Sequence, residues 1–399
     1  MEEEEIQKQL LDKVYEHLAS APAPSLAVLI EKQCDKYGIS QRQLSQILDL
    51  QRPSLSRILE GEAQKLDVLT LLKIQQFLGL SVETIIKTYV ANIQVTDIKS
   101  LQDSAKATFI VKNFDLEGLK RCGFIKSITD LDEIEHRLKT FLGLENILEY
   151  ETEVGSALFS RNARKSHDKM RELWVKSAYI QFDHIKNPNP YSREALISII
   201  PKIIPYTQDI HKGLLTVVRA LYNIGVTVIA QPYLTKTSVR GATFIINNKP
   251  CIVLTSQNYA TLWFTLMHEL HHALYDFEAI STTSYHVSGE SDVFLIEEEA
   301  NSFAKRMLLS DDKLIYIKPY INTPQLVQEY ARRLKIHPSI IYQFYLYDVK
   351  SDDAYKFYSK YLPKSDSAFS AITAVDWTSY NETLIERADI TKQVLSETK

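Results

Sequence analysis

Apolar positions recur at helical spacing through most of the chain. Over residues 1–20, Ile6, Leu10, Leu11, Val14 and Leu18 mark a short amphipathic helix that APAPS at 21–25 interrupts. From Leu26 to about Val90 the pattern is several short helices separated by tight breaks, with almost no period-two alternation, which predicts a small all-helical module. Helical periodicity resumes over 129–150 behind Thr129 or Asp130 as a cap. Ser160–Phe182 begins basic and becomes an amphipathic helix carrying Met170, Leu173, Trp174 and Ala178, its basic end reading as a solvated face, with phosphate contact the alternative. NPNPYS at 187–192 is turn chemistry, with Ser192 the N-cap of the next helix.

A helix starting at Gly213 ends at Gly225, and three β-branched stretches follow, at 226–231, 242–248 and 251–256. The Asn247-Asn248-Lys249-Pro250 break pairs the last two as a hairpin, so a small antiparallel sheet is expected ahead of a long helix. The predicted fold is α+β and mostly helical.

Length and composition bound the rest. A chain of 399 residues, 45% hydrophobic and 24% charged, suits two or three globular domains. A net charge of −4 leaves any nucleic-acid contact to a local patch. Cys34, Cys122 and Cys251 form no CxxC pair, which argues against a disulfide framework or a thiolate zinc site and predicts a reducing, cytoplasmic setting. MEEEEIQKQLL is acidic where a secretion signal is basic, and no run of about 18 apolar residues occurs, so neither export nor a membrane span is expected.

The sharpest chemical signal is His268-Glu269-Leu270-His271-His272, an H-E-x-x-H motif. On a helix, His268 and His272 lie at i and i+4 on one face, so two imidazoles converge on one ion while Glu269 is placed as general base. Twenty-five residues beyond His272, the helical stretch Ile296–Ala304 offers Glu297 as the third zinc ligand, with Asn301 one turn on to orient a ligand; Glu299 is the rival and Glu298 reads as solvated. His286, His271, Tyr275 and Tyr285 are unranked candidates for stabilising an oxyanion.

Phe264–Leu274 followed by Glu297-x-x-Ala300-Asn301-x-Phe303-Ala304-x-x-Met307-Leu308-Leu309 resembles the ImmA/IrrE family of metallopeptidases over roughly residues 210–345. The resemblance implies a gluzincin-like zinc endopeptidase acting on a regulatory protein such as a repressor or antitoxin-like factor, in stress, phage or mobile-element control. His271 departs from the family's usual Gly and Ser310 from its common Pro; neither change removes a ligand, and His271 reads as a packing residue rather than a fourth ligand. Residues 326–348 read as two short helices around Lys335-Ile336-His337-Pro338.

Residues 39–61 read as two short helices around a tight turn, with Leu44, Ile47, Leu48, Leu55, Ile58 and Leu59 inward. Gln41, Gln51, Arg52, Ser54, Ser56 and Arg57 remain for duplex DNA, Gln and Arg suiting base edges and Ser suiting phosphates. The segment resembles the phage-repressor-like (XRE) helix-turn-helix family over about 26–90. Eight basic against seven acidic residues in 25–90 give only +1, so repurposing for protein contact stays open, as does homodimerisation, with helix 6–18 a candidate element.

The organisation expected is an N-terminal helix (1–25), a helix-turn-helix domain (26–90), a helical connector (91–205), a zinc metallopeptidase domain (206–348) and a C-terminal tail (349–399) exposed enough to serve as a self-cleavage substrate. The alternative reading is a non-proteolytic repressor or antitoxin-like regulator whose zinc domain binds a partner or senses a signal.

Overall fold

The computed structural model describes residues 24–59, 66–90, 95–152, 169–234, 239–255, 258–283, 285–287, 294–372 and 374–397. The helix expected at 6–18 and the basic stretch 160–168 lie outside them. Among the described residues no helix is long and apolar enough to cross a membrane. The chain forms two compact units, Met1–Ala107 and Thr108–Lys399.

The first unit is helical: α1 (Leu26–Tyr37), α2 (Gln41–Ile47), α3 (Arg52–Leu59), α4 (Val68–Leu78), α5 (Val82–Val90) and the start of α6 (Val95–Asn113). Its breaks follow from capping chemistry. Ser25 accepts from the Val28 amide, Ser40 and Gln43 form a reciprocal capping box, and Asp67 caps α4. Gly38 and Gly79 take positive φ, 63° and 67°, to end α1 and α4. Leu26, Ile30, Leu44, Leu48, Leu55, Ile58, Ile74, Leu78 and Ile85 close one core. Ile47, expected inward, is 52% exposed, because the last turn of α2 rolls that position past the seam that Leu44 and Leu48 fill.

The second unit continues with α7 (Leu116–Arg121), α8 (Leu131–Leu142), α9 (Glu149–Thr152), α10 (Lys169–Ile185), α11 (Arg193–Ile203) and α12 (Gly213–Asn223). Asp130 caps α8 and Ser192 caps α11. Strands β1 (Thr227–Ala230), β2 (Gly241–Ile246), β3 (Lys249–Leu254) and β4 (Tyr285–Val287) form one sheet in the order β1-β3-β2-β4. The hairpin β2–β3 turns on Asn247 and Asn248 alone, both with positive φ as a two-residue turn requires, and Lys249 and Pro250 belong to β3. The sheet is mixed rather than purely antiparallel, since β1 arrives through α12 and pairs parallel to β3. Strand β4, which the sequence reading lacks, pairs antiparallel with β2, placing His286 opposite Thr243.

The long helix α13 (Tyr259–Tyr275) is capped by Asn258 and packs on β2, β3 and α15 (Phe294–Leu308); α14 (Phe277–Thr283) precedes β4. Then come α16 (Asp311–Ile317), α17 (Pro324–Leu334), α18 (Pro338–Val349), α19 (Asp352–Tyr358), α20 (Asp366–Ser370) and α21 (Leu384–Ser396).

The divisions expected at 205/206 and 348/349 fall inside one continuous core that runs from Ile110 to Leu395. The described residues of 349–397 are no exposed tail: Leu384, Ala388 and Leu395 are buried and α21 packs on α10. The indole N–H groups of Trp174 and Trp377 both donate to the Pro232 carbonyl at 3.1 Å. Buried Arg137 on α8 donates to the carbonyls of Phe124 and Trp377, 3.3 and 3.2 Å away. The Ser- and Asp-rich composition of this segment conceals apolar anchors spaced too widely to read as a core face.

Candidate functional site

The metal-ligand candidates meet where α13 crosses α15. Ala300 and Ala304 are fully buried on the facing side of α15, and such small side chains let helices approach closely. One turn of α13 sets His268 and His272 together, their Nε2 atoms 3.0 Å apart. Glu297 completes the triangle, with Oε2 3.6 Å from His268 Nε2 and Oε1 3.5 Å from His272 Nε2. Glu298 and Glu299 are exposed, so of the three adjacent glutamates it is Glu297 that turns inward.

Each imidazole is oriented from behind. His268 Nδ1 lies 3.2 Å from Asn301 Oδ1 and His272 Nδ1 lies 2.7 Å from Asp276 Oδ2. Those acceptors fix the N–H on Nδ1 and leave the lone pairs of both Nε2 atoms pointing at one another and at a carboxylate. Two bare lone pairs at 3.0 Å beside an anion repel unless a cation lies between them. Donors held about 2.0–2.1 Å from a zinc ion sit roughly 3.3–3.6 Å from each other, close to the spacings here. The donor set fits zinc.

Electrostatics carry the same signature. Burial alone would push the His272 imidazole down, but hydrogen bonds to Asp276 and Glu297, with the charge of Glu269 nearby, raise it to about 9. Burial works to raise the Asp276 and Glu297 carboxyls, yet the surrounding imidazoles hold both well below the usual carboxylate range. Without a metal, a proton on His272 takes the cation's place.

Glu269 is fully buried against β2. The Thr243 hydroxyl donates to its Oε2 at 2.8 Å, and Gly241 makes room for the carboxylate, since a Cβ at that position would stand 2.5 Å from Oε1. His286, across the sheet from Thr243, donates from Nε2 to Glu297 Oε1 at 2.7 Å. Of the oxyanion candidates, His286 hydrogen-bonds a member of the ligand triangle directly, through Glu297. Tyr275 is 57% exposed, Tyr285 stacks on Phe244, and His271 turns toward Asp276. Sequence reasoning missed Asp276, whose i+4 spacing from His272 was the available signal, and it missed Thr243 and Gly241, which only the strand register brings under the helix.

In the first unit α2 and α3 are joined by the turn Leu48–Gln51, with Asp49 at φ 51°. Leu55 and Ile58 bury one side of α3, while Gln41, Gln51, Arg52, Ser54, Ser56 and Arg57 are all exposed. Residues 30–85 match the family model described as helix-turn-helix, so this segment has a DNA-binding fold. No curated protein and no solved structure matches the chain.

Proposed function

We propose that this protein is a DNA-binding zinc metallo-endopeptidase that cleaves a regulatory protein. The observation that carries the reading is the convergence of His268 Nε2, His272 Nε2 and the Glu297 carboxylate beside the adjacent Glu269. His268, His272 and Glu297 would hold the ion, a two-imidazole, one-carboxylate donor set of the kind that catalytic zinc sites use. Zinc in that position supplies Lewis acidity, polarising a peptide carbonyl and making water more acidic.

The chain's own residues do the rest. Asn301 and Asp276 keep the two imidazoles in the ligating tautomer. Glu269, steadied by Thr243, accepts the proton of the attacking water and passes it to the leaving amine nitrogen. His286 steadies Glu297 from the sheet side. The helix-turn-helix segment supplies an address on duplex DNA through the exposed face of α3.

A second reading, a regulator without turnover, draws on the complete burial of Glu269, which shields the base from solvent. The two are separated by the purified full chain loaded with zinc and incubated with candidate repressors, alongside Glu269→Gln. Peptide-bond cleavage lost in that variant while zinc content is unchanged supports the peptidase; zinc and DNA binding with no cleavage in either supports the regulator.

A further inference from the structure

Behind the His272 ring stands a second set of donors. His271, beside it on α13, is 6% exposed, and its Nδ1 has no hydrogen-bond partner among the described residues. That nitrogen lies 3.6 Å from Asp276 Oδ2, too far for a hydrogen bond and equal to the gap between His268 and Glu297 in the first site. His272 Nδ1 reaches the same oxygen at 2.7 Å. One ligand atom from each of His271, His272 and Asp276 lies within 4.8 Å of the other two.

We propose that His271, Asp276 and the Nδ1 side of His272 form a second divalent transition-metal site. Two imidazole nitrogens and a carboxylate favour Zn2+, Cu2+ or Ni2+ over Mg2+ or Ca2+. Asp276 follows the last residue of α13, where the negative end of the helix dipole favours a cation, and its side chain is 17% exposed, which gives an ion an approach. The hydrogen bond that now joins His272 Nδ1 to Asp276 gives way as the ion enters, and one proton leaves to solvent for each ion taken up. Sharing one imidazole between two cations makes this the weaker site. The inference rests on the zinc reading above only for its neighbour, because His271 and Asp276 do not ligate the first ion.

The test is a zinc titration of the chelator-stripped full chain against a chromophoric competitor. Two equivalents are expected, one tight and one weaker. His271→Phe, which keeps a ring against Tyr275 and Phe303, should retain the tight equivalent and weaken the second at least about 100-fold. Glu297→Gln should weaken the tight equivalent and spare the second. A single equivalent in the unmodified chain, or a second one unchanged in His271→Phe, overturns the proposal. Loss of only the tight equivalent's dependence on Glu297 would instead contradict the first-site reading.

Discussion

Thr243 on β2 and His286 on β4 stand directly opposite each other in the sheet, and each holds a different carboxylate of the site. Thr243 steadies Glu269 and His286 steadies Glu297. One cross-strand pair therefore ties Glu269, the proposed general base, and Glu297, the proposed third ligand, to a common frame, so that the distance between them follows the sheet rather than the mobility of two glutamate side chains.

Removing the hydroxyl should uncouple chemistry from metal binding. Thr243→Val leaves the buried Glu269 carboxylate short of a donor, at a stability cost of about 1–3 kcal/mol. Zinc stoichiometry should stay unchanged while peptide hydrolysis falls by roughly tenfold or more. Metal analysis and a cleavage assay on the same preparation check it.

Gly241 is constrained by space rather than by turn geometry. In Gly241→Ala the new methyl meets Glu269 Oε1 at 2.5 Å and Thr265 Cγ2 at 2.8 Å, so the base must move. The expected cost is about 1–3 kcal/mol of stability. Turnover should be lost with zinc still bound, read by thermal melting and metal content.

The Asp276 carboxylate fixes the His272 tautomer. Asp276→Asn should reduce affinity for the tight zinc equivalent by about 10–100-fold, since the ring loses an anionic acceptor without losing a ligand. Competition titration measures it.

The pH dependence of the metal-free chain follows from the same groups. His272, raised from 6.5 to about 9, contributes stability that is fully present below about pH 6.5 and is lost as pH rises through about 9. Glu297, lowered from 4.5, contributes stability present above about pH 4.5 and lost as pH falls below it toward its depressed value. Without zinc these two groups stabilise the fold most between about pH 4.5 and 6.5, and melting temperature should fall on the alkaline side. Zinc should remove that alkaline loss, and its affinity should rise with pH up to about 9, because it displaces the His272 proton.

Much of this site is legible in the sequence because helical spacing alone brings His268 beside His272 and Glu297 onto the face of Asn301. Glu297 over Glu299 was decided by which side of α15 meets α13, a tertiary fact. The contributions of Gly241, Thr243 and His286 depend on a strand register that no local pattern encodes. In the first unit the paired short helices around a tight turn are legible in residues 39–61, whereas Ile47 faces outward because helical periodicity does not say where a seven-residue helix stops facing the core. The C-terminal segment escaped because its anchors, Trp377, Leu384, Ala388 and Leu395, gain meaning only against α8, α10 and Pro232.

The most direct test of the account compares new protein N-termini, by mass spectrometry, in cells carrying the unmodified protein and cells carrying Glu269→Gln, each with and without DNA damage. The account predicts at least one peptide bond cut only where Glu269 is present. Identical sets of N-termini in both, with zinc and DNA binding retained by the purified chains, would contradict it.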